Sequence, residues 1–152
     1  MTRTVLLDAG PLGLLTAPPR RQDARACSQW LAGLIQGNVR ILVPEITDYE
    51  LRRELLRAGK ARSVERLDAL GQATEYLPIT TPTIRRAAEL WAQARQQGQP
   101  TAADNTIDAD MILAAQAQTL GGAGSCDCHD QCRPSHPVCS RRVLEEYRPL
   151  TG

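Results

Sequence analysis

Apolar positions along the chain alternate between short continuous runs and longer stretches at helical spacing. The first run, Val5-Leu6-Leu7, is closed by Asp8 and followed by Ala9-Gly10-Pro11. This predicts a buried strand over 4–8 that ends in a turn and carries Asp8 at its carboxyl end. Ala24, Cys27, Trp30, Leu31, Leu34 and Ile35 recur at helical spacing, and Gly37-Asn38 supply a stop, so an amphipathic helix is expected over 24–36. A second strand is expected over 39–43, ended by Pro44, and then a helix carrying Ile46, Tyr49, Leu51, Leu55 and Leu56 that Gly59 terminates. A helix over 63–73 and a short strand over 76–79 follow. Thr81-Pro82 predicts the next helix start, a hydroxyl cap ahead of proline, with Ile84, Ala87, Ala88, Trp91 and Ala94 as its buried stripe. After a polar loop over 96–105, Met111, Ala114, Ala115 and Gln118 place a last helix over 107–119.

Strands that alternate with helices predict a parallel sheet with helices on its faces, in which ligands bind beyond the carboxyl ends of the strands. The alternation calls for one more strand near Gly121-Gly122, but residues 124–142 are rich in Cys, His, Pro, Arg and Asp and carry no strand pattern. The last core strand is therefore expected to be missing or disrupted. The chain divides into a domain over 1–123 and an anomalous tail over 124–152 that is not expected to fold on its own.

Composition narrows the class. The 152 residues, 42% apolar and 23% charged, suit one globular domain and exclude disorder, collagen and coiled coil. No apolar run approaches the roughly 20 residues of a membrane span, and Asp8 arrives too early for a secretory leader, so a cytosolic protein is expected. A net charge of +1 argues neither for nor against nucleic acid, and any electropositive surface must be local. Lys60 is the only lysine, so no other lysine can be catalytic.

Three acidic residues stand where this architecture can gather them: Asp8 after the first strand, Glu50 early in the helix after the second, and Asp110 at the opening of the last helix. Converging carboxylates repel one another, and a divalent cation relieves them. Hard oxygen ligands select Mg²⁺ or Mn²⁺, which can activate water and stabilise a phosphoryl transition state. Structural alternatives stand beside this. Thr47-x-x-Glu50 fits a capping box, Asp108 fits a helix cap, and Asp110 suits the dipole of a first helical turn. Asp8, directly after Val-Leu-Leu, needs a partner or a metal.

The segments L-L-D-A-G-P-L at 6–12, P-E-I-T-D-Y-E-L-R-R-E-L at 44–55 and D-A-D-M-I-L-A-A-Q-A at 108–117 resemble, in that order, the PIN domain, the nuclease fold of VapC-type toxins. The resemblance covers about the first 120 residues. It implies a three-layer α/β fold with a central parallel sheet and a metal-dependent endoribonuclease that hydrolyses RNA phosphodiesters with Mg²⁺ or Mn²⁺. The implied catalytic and metal-binding acids are Asp8, Glu50 and Asp110, with Asp108 supporting the metal site from behind them or capping the helix. An antitoxin protein and a homodimer are the implied partners besides RNA, and no membrane. Arg52, Arg53 and Arg57 on the Glu50 helix, and Arg85-Arg86, would hold the RNA backbone or form solvated helix faces. A receiver domain would need an acidic pair and a late lysine, and a haloacid dehalogenase-like enzyme D-x-D after the first strand; neither occurs.

The tail admits two explanations. Cys126, Cys128, His129, Cys132, His136 and Cys139 supply more than enough thiolate and imidazole for zinc, which would make the protein a zinc-binding interaction module. The PIN pattern, however, continues with a hydrophobic strand and T-T-N-x-G-H-L-x-R-F, whose Asn or Asp completes the acidic site. Reading the codons of residues 129–138 one nucleotide forward permits T-T-N-V-G-H-L-[IT]-R-F. The tail from about Gly124 is accordingly expected to be a frameshifted product, its cysteines accidental, and an inactive PIN remnant is the remaining alternative.

Overall fold

Residues 4–97 and 104–120 are described by a computed structural model. The β-branched and aliphatic runs form three strands, β1 (Thr4–Leu6), β2 (Arg40–Pro44) and β3 (Glu75–Leu77), in a parallel sheet of order β1-β2-β3. Val5 lies opposite Ile41, and Val43 opposite Tyr76. In β2, Ile41, Leu42, Val43 and Pro44 are all buried, as expected for a parallel strand covered on both faces. Six helices flank the sheet: α1 (Ala9–Thr16), α2 (Gln22–Gln36), α3 (Glu45–Arg57), α4 (Ala61–Ala73), α5 (Thr81–Gln96) and α6 (Asp104–Leu120). Val5, Leu7, Leu12, Leu31, Ile41, Val43, Leu55 and Leu67 make the core, drawn from two strands and four helices together with Leu7 just beyond β1.

Helix stops follow the expected chemistry. Gly59 takes φ 65°, with Lys60 N–H donating to Leu55 O at 2.9 Å and Gly59 N–H to Leu56 O at 3.0 Å, a Schellman closure of α3. The same closure ends α2, but there Asn38 rather than Gly37 takes the left-handed conformation, at φ 55°.

Four expectations are corrected. Ala9-Gly10-Pro11 opens α1 rather than a turn, because first-turn amides need no helical acceptor and so tolerate Pro11. The α5 cap is Thr80, whose hydroxyl accepts from Thr83 N–H, one residue before the expected Thr81. The α5 stripe is also turned. Thr83 and Ala87 are buried against α6, while Ile84 is 47% and Trp91 39% exposed, since the smaller side chains let the two helices approach. Helix α6 begins at Asp104, ahead of the expected 107. The expected missing strand and the whole Cys/His tail lie outside the described residues; among these, β1 pairs with β2 alone.

An ion cluster ties α3 to α4. The Arg52 guanidinium donates to both Asp48 carboxylate oxygens at 2.9 Å and reaches Asp68 at 2.8 Å, while Asp48 itself is buried. Arg52→Ala strands that carboxylate, and urea unfolding at pH 7 should show a loss of about 1–3 kcal/mol. The loss should shrink in an Asp48→Asn background, where no charge is left unpaired.

Candidate active site

All three strands run in one direction, so their carboxyl ends share one edge of the sheet, and each acid reaches that edge by a different route. Asp8 follows β1 after Leu7 alone and caps α1. Its Oδ1 accepts from Ala9 N–H at 2.6 Å, and Leu12 N–H donates to Asp8 O at 3.0 Å to close the first turn. The partner that sequence reasoning demanded for Asp8 is thus in part its own helix, which leaves the second carboxylate oxygen available for chemistry.

Glu50 comes from α3, which leaves β2 without an intervening loop. Thr47 is not the cap of this helix. It lies inside the first turns, fully buried, and its hydroxyl donates to Leu7 O at 3.0 Å or Pro44 O at 2.8 Å. A capping box needs Thr47 at the helix start, so Glu50 has no such duty. With its hydroxyl within reach of both carbonyls, Thr47 sets the start of α3 against the residue before Asp8, beside the end of β1. Sequence reasoning missed this role because it depends on a residue 40 positions away.

Asp110 lies on the seventh residue of α6, too far from the start for the first-turn role, and Asp108 is likewise no cap. The helix is fixed to the same sheet edge by Gln116, fully buried, whose Nε2 donates to Leu77 O at 2.8 Å at the end of β3. Asp108 is exposed, and nothing in the structure groups it with the other three.

The three acids sense one another. Burial pushes the Glu50 carboxyl above its ordinary range; the nearby Arg53 charge opposes this, and the Asp110 and Asp8 charges add to it. Asp110 keeps an exposed surface, yet desolvation of its carboxyl group and then the charge of Asp8 raise it as well. Neither Glu50 nor Asp110 accepts a hydrogen bond among the described residues, so neither has one to surrender to a ligand. Their side chains interact through charge without closing on one point: no group of three or more His, Cys, Asp and Glu side chains among the described residues is arranged to hold a metal ion.

The family model for the PIN domain matches residues 5–124, which is most of the chain and spans all three acids. The chain belongs to the PIN domain family. PIN domains are generally nucleases that use divalent metal ions, so a hydrolytic nuclease role on nucleic acid follows for this PIN domain at that level. A comparison with curated proteins finds no match. No helix among the described residues is long and apolar enough to cross a membrane.

The expected arginine clusters separate in this PIN domain. Arg52 is committed to Asp48 and Asp68, Arg57 to Glu54 at 2.7 Å, and Arg86 to Glu89 at 2.8 Å and to Gln118. Arg53 makes no ion pair among the described residues and lies over the Tyr49 ring, 5.4 Å from its centroid. The sequence signal for that pair is the i, i+4 spacing of an aromatic and a cation on one helix.

Proposed function

We propose that this PIN domain is a metal-dependent endoribonuclease of the VapC toxin type, acting on RNA in the cytoplasm with Mg²⁺ or Mn²⁺ held by Asp8, Glu50 and Asp110. The observation that supports it is that three acids from three segments meet at one sheet edge, where burial raises Glu50 and Asp110 and the charge of Asp8 adds to both, that of Asp110 adding to Glu50 as well. Such a cluster destabilises the metal-free fold and is what a divalent cation neutralises. A bound ion of this class supplies Lewis-acid activation of water and of the scissile phosphate.

The chain's own residues have separable parts in this reading. Asp8 is the fixed donor, because the Ala9 amide orients its carboxylate. Glu50 and Asp110 are the adjustable donors, without hydrogen bonds among the described residues and raised above their ordinary range by burial and by neighbouring acids. Asp108, two residues before Asp110 and so on a different face of α6, and exposed, would act on Asp110 through the local field rather than as a direct ligand. An antitoxin protein and a second copy of the chain are the partners this reading carries.

The test uses the purified chain and a structured and an unstructured RNA. Cleavage is expected with Mg²⁺ or Mn²⁺ and none after chelation; cleavage that continues in excess chelator removes the proposal. For the tail, we hold to the frameshift, and the gene decides it: codons of residues 129–138 that do not spell T-T-N-x-G-H-L one nucleotide forward would leave the Cys/His residues as a zinc module, measurable by stoichiometric zinc uptake.

A further inference from the structure

Helix α3 presents, beside the acids, an exposed aromatic and a cation that makes no ion pair among the described residues. Tyr49 is 57% exposed, and Arg53, also exposed, stacks over its ring at 5.4 Å. Helical spacing puts Arg53 four residues after Tyr49 and three after Glu50, so the guanidinium stands one turn along the helix, between the ring and the carboxylate. The neighbouring arginines are occupied by Asp48, Asp68 and Glu54, whereas Arg53 has no anion of its own among the described residues. It is close enough for its charge to favour the ionised form of Glu50. A large exposed ring held flat under a guanidinium is a preformed stacking surface, and a cation beside a cluster of acids sets where a polyanion can lie.

We propose that Tyr49 and Arg53 are a docking platform for single-stranded RNA, Tyr49 stacking an unpaired base and Arg53 contacting the phosphate that leads that nucleotide into the carboxylate site. This rests on the nuclease reading above. Stacking needs only a π-face, so the platform is tolerant of base identity, and it excludes duplex, whose bases are already stacked. Trp91 and Arg95 on α5 repeat the aromatic–cation pairing at 5.0 Å, but α5 contributes none of the three acids, so Trp91→Ala serves as the control.

The experiment measures anisotropy of a fluorescent, unstructured RNA oligonucleotide with the full chain in chelator, where no cleavage is expected, followed by cleavage rates with Mn²⁺. Tyr49→Ala should weaken binding about 5- to 100-fold, Tyr49→Phe should hold wild-type affinity, and Tyr49→Leu should fail like alanine although it is apolar. Arg53→Ala should lower the slope of log affinity against log salt by about 0.7, the value of one phosphate contact on a single strand, and Arg53→Lys should restore it. Trp91→Ala should change neither. If wild type binds and cleaves RNA while Tyr49→Ala and Arg53→Ala stay within about twofold of it, the platform is wrong and the nuclease reading stands. If wild type neither binds nor cleaves RNA, the nuclease reading fails and the platform with it.

Discussion

Asp8→Asn should lower metal-dependent RNA cleavage by more than about 100-fold and, in the same protein, raise the thermal stability of the metal-free fold. The first effect follows from removing a charged donor, since losing even a partner behind a metal ligand costs about 10–100-fold in affinity or activity. The second follows from electrostatics. Asparagine caps helices as well as aspartate, so the Ala9 N–H keeps its acceptor and α1 its start, while the charge that raises Asp110 and Glu50 disappears. Because Glu50 and Asp110 are raised in the fold above their ordinary values of 4.5 and 3.8, the stability they contribute is fully present below those values. It is lost as pH rises through their higher folded values. Metal-free wild type should therefore lose melting temperature as pH rises above those ordinary values more steeply than Asp8→Asn, and Mn²⁺ should raise the melting temperature of wild type alone. A variant that is both inactive and less stable than wild type in chelator at pH 7 would show Asp8 to be a structural cap and no more.

Leu12→Ala should cost about 3 kcal/mol, within the usual 2–5 kcal/mol for emptying a core leucine. Leu12 is fully buried on α1, the helix Asp8 caps, and belongs to the core with Val5, Leu7 and Leu67. Helix α1 packs on α2, α3 and α4 at once, so the surroundings cannot collapse into the gap without moving three other helices. Against a margin of about 5–15 kcal/mol, that loss should lower the melting temperature by about 6–12 °C. Leu12→Met, which nearly conserves volume, should cost under about 1.5 kcal/mol. Leu56→Ala on α3 is the matched contrast. Leu56 is 62% exposed, and its removal should stay within about 0.5 kcal/mol. Equal losses at Leu12 and Leu56 in calorimetry would contradict the packing described for α1 and α3.

Order and type of most elements were legible along the chain, because strand and helix periods are local and a parallel strand buried on both faces must read as a continuous apolar run. Hence β2, α2 and α4 lie where the pattern placed them, and the three motif segments were visible as sequence. Helix α1 was not legible. Ala-Gly-Pro is poor helix sequence, and it is helical here because Asp8 caps it and Leu12 is drawn into the core. Burial within a helix was equally hidden. Spacing marks Ile84, Ala87 and Trp91 alike, and the packing of α6 buries Ala87 together with Thr83, which the spacing did not mark, while leaving Ile84 and Trp91 in solvent. The candidate site shows the same division. Sequence alone marked Asp8 after the first strand and Glu50 and Asp110 as acids on two of the helices. Tertiary structure alone decided that Glu50 is released from capping, because α3 begins at Glu45 and Thr47 lies inside it with its hydroxyl within reach of Leu7 O, and that among the described residues Arg53 rather than Arg52 makes no ion pair, because Asp68 of α4 joins Asp48 in holding Arg52. A hydrogen bond between residues 40 positions apart leaves no periodic trace in the chain, and the fold that makes it also chooses which side chains remain available for chemistry.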